Sequence, residues 1–300
     1  MRLSAIIPTK NRPPELAIVV RDLLSQTLLP SEIVIIDQSP DDAGRHLVMN
    51  LFEAAPDAVR NSVGLQYVLD TSISGGSAAR NRGMDIATGD VWLCLDDDVE
   101  LERNFLQEIV AVFRERPDLS GVCGVITNYA PPPWPFRLWD RVFALGPFHD
   151  ERQPIYWSAD RLRDSKPIRV HKLNGGAMAF RADTLRGVRF DSNLGGYSLA
   201  EDVDFASRIE PGIMVMTPRA RLIHKRSPGS RPADHWLRGK AQASCYLYRR
   251  NWRHGLANRF RYLWLNVGYG LAIASCCLKQ FSFEPLAAFR AGIRRAHELT

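Results

Sequence analysis

Four short apolar runs near the amino terminus constrain the fold of this 300-residue chain more than any other feature. They cover residues 3–8, 32–37, 64–69 and 91–95. The second run, EIVIID, has apolar side chains in succession with no polar alternation, as in parallel strands that are buried on both faces. Segments with helical apolar spacing separate the runs, at about residues 13–26, 41–55 and 77–87. This alternation predicts a doubly wound, mostly parallel α/β sheet.

Acidic side chains stand where two of these strands end. Asp37 closes the second run, and Asp96, Asp97 and Asp98 follow the fourth. Open α/β folds bind their ligands at the carboxyl edge of the sheet. Concentrated negative charge is costly there unless a cation neutralises it, and oxygen ligands favour a hard divalent ion such as Mg2+ or Mn2+. A solvated acidic turn is the plain alternative for such a triplet.

The regular alternation stops after a predicted helix at residues 101–116 and a strand at 121–126. Residues 128–166 contain PPPWPF, several tryptophans and mixed charges without a clean period, and we interpret them as a substrate-side insertion. Further strands are predicted at residues 177–180, 213–217 and 221–224, and a helix with the acidic group AEDVDF at 199–209. The last strand ends at His224.

The carboxyl-terminal part of the chain is basic. The whole sequence has 39 Lys and Arg against 33 Asp and Glu, and its pI of about 9.2 favours an anionic partner. From about residue 234 we predict helices with interleaved arginines and aromatics. Their uncharged run, residues 263–278, has 16 residues, fewer than the roughly 20 that span a bilayer. We expect contact with an anionic membrane surface, with buried packing as the main alternative and a true span as the least favoured.

The length suits one large domain with an appendage. We predict a domain at residues 1–232, with a nucleotide-binding half (1–126) and an acceptor-side half (127–232), and a helical tail at 233–300. The five cysteines lack metal-site spacing and lie mostly in apolar runs, so we expect them to be reduced core residues of a cytoplasmic protein. Because of the basic tail, we expect this protein to lie peripherally on the inner face of the cell membrane. The first residues, MRLSAIIPTKNRP, are not expected to form a signal peptide.

Five segments together carry a family resemblance. They are AIIPTKNRP, IVIIDQSPDD, GGSAARNRGMDIATGDVWLCLDDD, GGAMAFRADTL and LAEDVDFASRI. In this order and spacing, over roughly residues 1–230, the chain resembles the family 2 glycosyltransferases. The resemblance implies the GT-A (Rossmann-like) α/β fold, a mostly parallel sheet flanked by helices, and an inverting, metal-dependent glycosyltransferase. The DxD motif alone is a weak signal.

The resemblance also implies a nucleoside-diphosphate sugar as the donor. Asp37 matches the position whose carboxylate accepts hydrogen bonds from the nucleotide base, and glycine at 175 and 176 lets the backbone approach the donor sugar closely. The residues implied to surround the donor are Pro8, Thr9, Lys10, Arg12, Asp37, Gly76, Arg80, Asn81, Asp96, Asp97, Gly175 and Gly176.

The same resemblance assigns metal and catalytic roles. Asp98 is expected to ligate Mn2+ or Mg2+, Asp96 to face the ribose or the water shell of the ion, and His224 to be a further ligand. The ion would neutralise charge on the diphosphate leaving group. Asp202 matches the general base that takes the proton of the acceptor hydroxyl on the face opposite the diphosphate, which inverts the sugar. Glu201 beside it is expected to position the acceptor or tune Asp202.

The sequence departs from the family pattern at several places, and these departures narrow the kind of transfer that we expect. The second strand ends DQSPDD where members often read DDGS, and the QxxRW motif of processive synthases is absent, as are several long apolar spans. We therefore expect transfer of a single hexose or deoxyhexose to a surface-glycan or lipid-linked acceptor. The alternatives are an inactive relative that binds sugar nucleotide or membrane, and a nucleotidyltransferase with a related sheet. A nucleic-acid partner is not expected, because no recognition motif or zinc pattern accompanies the basic tail.

Overall fold

The structure, a computed structural model, describes residues 1–185, 187–194, 200–210, 212–225 and 236–300. The chain forms two compact units, each with its own apolar cluster. Unit 1 comprises Met1–Ala130 and Arg152–Gly229, and unit 2 comprises Pro131–Glu151 and Ser230–Thr300. The predicted domain boundary at residue 232 lies outside the described residues. Part of the segment interpreted as an insertion packs with the carboxyl-terminal helices in unit 2.

Unit 1 is built on a nine-stranded sheet. Its strands are β1 (Leu3–Thr9), β2 (Glu32–Asp37), β3 (Gly64–Leu69), β4 (Val91–Leu95), β5 (Val99–Leu101), β6 (Gly121–Ile126), β7 (Ile168–Val170), β8 (Ala177–Arg181) and β9 (Met214–His224). The helices of unit 1 are α1 (Pro13–Leu24), α2 (Ala43–Glu53), α3 (Asp57–Arg60), α4 (Gly76–Ile86), α5 (Phe105–Glu115), α7 (Gln153–Trp157) and α8 (Glu201–Ser207). Those of unit 2 are α6 (Trp134–Phe143), α9 (Trp236–Leu247), α10 (Leu256–Gln280) and α11 (Glu284–Leu299).

The strand order is β3-β2-β1-β4-β8-β6-β9-β5, with β7 also paired to β9. The first four strands are parallel to one another, and β6 and β9 run the same way, whereas β5, β7 and β8 are antiparallel to their neighbours. The predicted mostly parallel α/β sheet is therefore confirmed. Because β1, β2 and β4 are adjacent and parallel, the residues that follow them meet at one edge.

The core explains the strand pattern. Strands β1, β2 and β6 are buried along their whole length, as expected for runs without polar alternation. Helix α1 packs through Leu16, Val19, Val20 and Leu23, which repeat at helical spacing. Helix α4 lies very close to β1, because a Cβ on Gly83 would stand 2.3 Å from Ile6 Cγ2. That contact fixes α4, which carries Arg80, against the sheet.

Glu32 joins several elements at the amino edge of the sheet. Its Oε1 accepts hydrogen bonds from Ser4 Oγ (2.6 Å), from the Thr88 backbone N–H (2.6 Å) and from Thr88 Oγ1 (3.0 Å), and its Oε2 accepts one from Gln66 (3.1 Å). Burial opposes ionisation, but these donors lower the pKa of Glu32 below its usual value. The carboxylate thus connects β1, β2, β3 and the turn before β4.

Two elements differ from the sequence prediction for identifiable reasons. Strand β9 runs unbroken through Pro218, where two strands were predicted, because its pairing with β6 shifts register between Cys123 and Val125 and so accommodates the proline. The segment predicted as irregular contains α6, whose Pro135 lies in the first helical turn, where a proline is tolerated.

Unit 2 has a small core of its own. Leu237, Leu265, Tyr269 and Ile273 are buried in it together with Ala144. Two indole N–H groups connect α6 with α10: Trp139 Nε1 donates to the Gly268 carbonyl (2.9 Å) and Trp264 Nε1 to the Val142 carbonyl (2.8 Å). Across the described ranges, no helix combines the length and apolar content needed to cross a bilayer.

Candidate active site

The carboxylate of Asp97, the middle aspartate of the triplet, accepts hydrogen bonds from two other side chains of the protein. Thr9 Oγ1, at the end of β1, donates to Asp97 Oδ2 (2.7 Å), and Arg12 Nη1 donates to Asp97 Oδ1 (2.9 Å). Arg12 also lies 3.5 Å from Asp98 Oδ2. Burial raises the pKa of Asp97 to about 6, although Thr9 and Arg12 oppose the shift. Asp97 therefore anchors the loop after β1 to the turn after β4.

The outer aspartates meet the predicted histidine. Asp96, Asp98 and His224 each offer one ligand atom, and these atoms lie within 4.8 Å of one another. His224 Nε2 is 3.1 Å from Asp98 Oδ1 and 3.7 Å from Asp96 Oδ2. The register of β5 with β9, which pairs Val99 with His224, brings the imidazole beside the triplet.

The donor set of this cluster fits a divalent ion. Two carboxylates suit Mg2+ or Mn2+, and the imidazole adds a nitrogen ligand that transition ions accept. Tyr129 Oη lies 3.1 Å from His224 Nδ1, so the other ring nitrogen, Nε2, faces the carboxylates. A partner on the second nitrogen is how ligating histidines are usually oriented. Asn128 also bonds the His224 backbone, which holds the residue in place.

Arg80 connects the triplet to the acidic pair on α8. Its Nη2 donates to Asp96 Oδ1 (2.6 Å) and its Nη1 to Glu201 Oε1 (3.0 Å). The Arg80 side chain is only 5% exposed, so these ion pairs are shielded from water. Burial raises the pKa of Glu201 to about 7, against the opposing effect of Arg80. Within the described part of the chain, Glu201 Oε2 is buried without a hydrogen-bond partner.

Asp202 has a different environment from its neighbour. Its Oδ1 accepts a hydrogen bond from the Val203 backbone N–H (2.9 Å), and its Oδ2 lies 3.3 Å from Arg152 Nη1. Arg152 also donates to the Leu173 carbonyl, which fixes the guanidinium in place. The residue before the pair, Ala200, has φ of +74°, a conformation that is unusual for alanine and that is often found at functional sites.

Two adjacent glycines lie between these groups. A Cβ on Gly175 would stand 3.6 Å from Asp202 Oδ2, and a Cβ on Gly176 would stand 3.2 Å from His224 Nδ1. The Gly176 carbonyl also accepts the Asp96 backbone N–H (3.0 Å). The dipeptide before β8 therefore contacts the acidic pair, the histidine and the triplet, and the absence of side chains keeps the space next to them open.

Asp37 is buried, and both of its carboxylate oxygens accept hydrogen bonds from the protein. Its Oδ1 accepts hydrogen bonds from the backbone (2.8 Å) and the hydroxyl (2.5 Å) of Ser39, and its Oδ2 accepts one from Tyr67 Oη (2.5 Å). Burial and the neighbouring Asp37 carboxylate raise the pKa of Tyr67. A nucleotide base that binds Asp37 would have to share oxygens already used by the protein.

The other residues predicted to surround the sugar-nucleotide donor lie in different surroundings. Pro8 is buried within β1 and Lys10 is exposed in the following loop. Gly76 begins α4, where a Cβ would stand 3.2 Å from Arg80 Nη1. The Asn81 amide bonds the backbone of Phe190, donating to its carbonyl (2.9 Å) and accepting its N–H (2.8 Å), so this side chain contacts the 187–194 segment and not the acidic cluster.

Three residues of this site were not predicted from the sequence. Tyr129 lies three residues after the end of β6, at the edge of the sheet where the triplet lies, and that position was an available signal. The sequence signal for Tyr67, within β3, was weaker, because its hydroxyl comes close to Asp37 only when β2 and β3 pair. Arg152 lies in a segment without periodicity, and no pattern indicated it.

Comparisons with known sequences give a consistent result. A sequence model described as Glycosyl transferase family 2 matches residues 4–192. An uncharacterized glycosyltransferase of Nostoc sp. is 34% identical over 122 residues, 41% of this chain and 35% of the relative. A GalNAc(5)-diNAcBac-PP-undecaprenol beta-1,3-glucosyltransferase of Campylobacter jejuni is 30% identical over 100 residues, 33% of this chain and 30% of the relative. The match spans about a third of the length of these relatives.

Two solved structures share the fold. The mannosyltransferase PcManGT from Pyrobaculum calidifontis, in complex with GDP-Man and Mn2+, has a TM-score of 0.59 at 18% identity and covers 99% of this chain and 84% of its own. S. aureus TarS 1–349, in complex with UDP-GlcNAc, has a TM-score of 0.62 at 14% identity and covers 100% and 81%. The predicted GT-A fold is thereby confirmed.

Proposed function

This chain belongs to glycosyl transferase family 2, and we propose on that basis that it transfers a single sugar from a nucleoside-diphosphate sugar to a hydroxyl group of its acceptor, with inversion at the anomeric carbon. The observation that carries this proposal is the arrangement of Asp96, Asp98 and His224 on one side of the Gly175–Gly176 dipeptide and Asp202 beside it. A cation-binding cluster next to a separate carboxylate suits this reaction, because it can stabilise the charge on a diphosphate leaving group and remove the proton of the acceptor.

The donor part of the proposal draws on the relatives as well as on the site. The two structurally similar proteins hold GDP-Man and UDP-GlcNAc, both nucleoside-diphosphate sugars. In this chain, Thr9, Arg12 and Asp37 lie at the ends of β1 and β2, beside the triplet. We assign the nucleotide to this edge and the sugar to the space over Gly175 and Gly176. The sugar class that we favour is a hexose or deoxyhexose.

The metal part of the proposal assigns Asp96, Asp98 and His224 to hold Mn2+ or Mg2+. Oxygen ligands suit both ions, and the imidazole favours Mn2+ because Mg2+ is bound mostly through oxygen. When bound, the ion would neutralise the negative charge that develops on the diphosphate as the glycosidic bond breaks. Arg12 and Arg80 supply fixed positive charge at the same edge, with Arg80 buried between Asp96 and Glu201.

The base part of the proposal assigns proton removal to Asp202. The carboxylate accepts the proton of the acceptor hydroxyl while the oxygen attacks the anomeric carbon on the face opposite the leaving group, so that one displacement inverts the sugar. The Arg152 guanidinium, 3.3 Å from Asp202 Oδ2, orients this carboxylate. The desolvated Glu201 is assigned to position the acceptor, since its Oε2 has no partner within the described residues.

For the acceptor we propose a surface glycan or a lipid-linked saccharide. The relative from Campylobacter jejuni is named for an undecaprenol-linked acceptor, which makes this class reasonable. We also propose that the basic carboxyl-terminal helices contact an anionic membrane surface on the inner face of the cell. In the described part of the chain the five cysteines form no disulfide, which is consistent with a reducing cytoplasm.

The proposal is tested by hydrolysis of a panel of nucleoside-diphosphate sugars, with and without Mn2+. We expect at least one donor to be hydrolysed in the presence of metal. Asp98→Ala should lower that rate by a factor on the order of 100, the usual cost of losing one group that stabilises the leaving charge. The exposed Asp183→Ala variant should behave as the unaltered protein.

Two results would count against the proposal. If metal-dependent hydrolysis is the same in the Asp98→Ala variant, the ligand assignment is wrong. If donors bind without any turnover, even when candidate acceptors are added, the chain is an inactive relative that binds sugar nucleotides.

A further inference from the structure

Unit 2 contains a cationic cavity that has no part in the sugar-transfer site described above. The cavity measures about 350 Å³ and is lined by Tyr248, Arg249, Arg253, His254 and Arg259. It lies where the π-helical turn Tyr248–Trp252 that follows α9 meets the start of α10. Among the described lining residues three carry guanidinium groups and none is acidic, which makes the environment attractive to anions.

The arginines of the cavity form no ion pairs with the residues that the structure describes. Arg249 donates to Thr300 Oγ1 (2.6 Å), a neutral partner. Arg253 and Arg259 are exposed and form no ion pair with any residue that the structure describes. Elsewhere in unit 2, by contrast, Arg295 pairs with Glu298 (3.0 Å). The positive charge at the cavity is therefore available to an anion from solution.

Aromatic packing holds the wall of the cavity in place. The Tyr248 ring stacks on Tyr262 of α10, with centroids 4.1 Å apart and planes 6° from parallel. Phe148 contacts both Tyr262 (5.8 Å) and Trp252 (5.3 Å). The π-helical turn that presents Arg249 is thus fastened to the first turns of α10, which present Arg259. The wall that carries these arginines is therefore formed before a phosphate group binds, which lowers the entropic cost of binding.

An exposed apolar stripe begins beside this cavity. On α10 the side chains of Leu256, Phe260, Leu263, Val267, Leu271 and Leu278 are each 50–82% exposed and repeat every three or four residues, or a multiple of that spacing. They share one face of the helix, opposite the buried Leu265, Tyr269 and Ile273. Arg259 lies one turn from both Leu256 and Leu263, so the cationic cavity borders the stripe.

The cationic cavity and the apolar stripe beside it together suit a ligand with an anionic head and an apolar chain. A soluble phosphate would use the arginines but would leave the apolar face in water, where a patch of this size is unfavourable. A membrane lipid uses both, because its phosphate reaches the arginines while its chains cover the leucines. Residues 236–300 carry eleven Lys and Arg and two Asp and Glu, so the surroundings also attract an anionic bilayer.

We propose that the cavity of Arg249, Arg253 and Arg259 binds the phosphate headgroup of an anionic membrane lipid, with α10 lying in the bilayer surface along its apolar stripe. This inference rests on the membrane contact in the proposed function and specifies its site. Binding needs no sugar donor, so the test uses lipid binding alone.

The test measures co-sedimentation of the full chain with liposomes of phosphatidylcholine and phosphatidylglycerol at 70:30. Removing two charges with Arg253→Gln and Arg259→Gln together should weaken binding roughly tenfold or more, since each basic side chain at an anionic surface contributes appreciably. The matched control is Arg290→Gln with Arg294→Gln, two exposed arginines of α11 and the same change in charge, for which we expect less than a threefold loss. Both double variants should retain donor hydrolysis.

A second measurement identifies the ligand. Short-chain phosphatidylglycerol, titrated below its micelle concentration, should bind the unaltered protein and not the Arg253, Arg259 double variant, whereas inorganic phosphate at the same concentration should not bind. Equal losses in the two double variants, or none in either, would overturn the site. Equal binding of inorganic phosphate would overturn the lipid assignment. If the unaltered protein ignores anionic liposomes altogether, the membrane part of the proposed function fails while sugar transfer is unaffected.

Discussion

Asp202 and Glu201 are sequence neighbours with opposite surroundings. Glu201 is desolvated and faces the buried Arg80, and its pKa rises to about 7. Asp202 accepts a backbone hydrogen bond from Val203 and lies 3.3 Å from Arg152. A base must be ionised before it can take a proton, and burial disfavours the ionised form of Glu201, so we propose Asp202 and not Glu201 for that role.

Replacing Asp202 with asparagine should therefore remove turnover without removing donor binding. We expect kcat for sugar transfer to fall by a factor on the order of 100 or more, the usual contribution of a general base. Donor affinity, measured by titration calorimetry with Mn2+, should change little because Asp202 is not a member of the metal-binding cluster. The exposed Asp118→Asn variant serves as control. Unchanged turnover would remove Asp202 from the mechanism.

The residues of this site differ in how well they can be predicted from the sequence. Asp96, Asp98 and His224 were predicted as a group, and the structure brings them together because strand ends in an α/β sheet share an edge. The use of Asp97 by Thr9 and Arg12 was not predictable, since it depends on a loop conformation with Asn11 at φ of +55°. The position of Arg152 depends on chain folding beyond any local pattern.

At the scale of elements, Glu32 is a single carboxylate on which several strands depend. It is buried at 6% exposure and accepts four hydrogen bonds from neighbouring elements. An uncharged amide in its place would accept weaker hydrogen bonds and would add donors that these neighbours cannot all satisfy. Loss of bonds to a buried charged group costs about 2 kcal/mol in typical cases.

We therefore expect Glu32→Gln to lower the free energy of unfolding by about 2 kcal/mol at pH 7. Because folding lowers the pKa of Glu32 from its usual 4.5, its ionised form stabilises the protein above that pH, and this contribution disappears as the pH falls through the folded-state pKa. The difference between the two proteins should accordingly shrink toward pH 3. Urea unfolding at a series of pH values measures it.

The control for this prediction is Glu53→Gln, an exposed glutamate at the end of α2. It should unfold as the unaltered protein does across the same pH range. A difference for Glu32→Gln that stays constant down to pH 3 would show that its carboxylate is not the titrating group.

The elements most accessible to prediction were those with strong apolar signals. Strands β1 to β4 lie where the apolar runs indicated, within a residue or so at each end. Strand β5 was missed because three residues are too few to show a period, and it owes its existence to pairing with β9. Helices α6 and α7 were hidden by prolines and by their shortness.

The charge of the whole molecule is unevenly distributed. Residues 236–300 carry eleven basic and two acidic side chains, a net +9 that exceeds the +6 of the full chain, so residues 1–235 carry −3. Sugar transfer and membrane contact are thus assigned to parts of opposite net charge. Salt should affect the two activities differently, because screening acts mainly on exposed charges.

We expect binding to anionic liposomes to fall at least tenfold between about 0.05 and 0.5 M NaCl, as the Debye length drops below the spacing of surface charges. Donor hydrolysis in solution should change less than threefold, since its ion pairs are largely buried. Co-sedimentation and hydrolysis measured on the same samples provide the comparison. Liposome binding that does not respond to salt would mean that the apolar face of α10 acts alone.

The Gly175–Gly176 dipeptide limits how this protein can change. A Cβ on Gly176 would stand 3.2 Å from His224 Nδ1, so the imidazole would have to shift, whereas a Cβ on Gly175 would meet Asp202 at an ordinary contact distance of 3.6 Å. Variation is therefore more restricted at Gly176 than at Gly175. A laboratory selection that varies both positions should return active clones with substitutions at Gly175 more often than at Gly176.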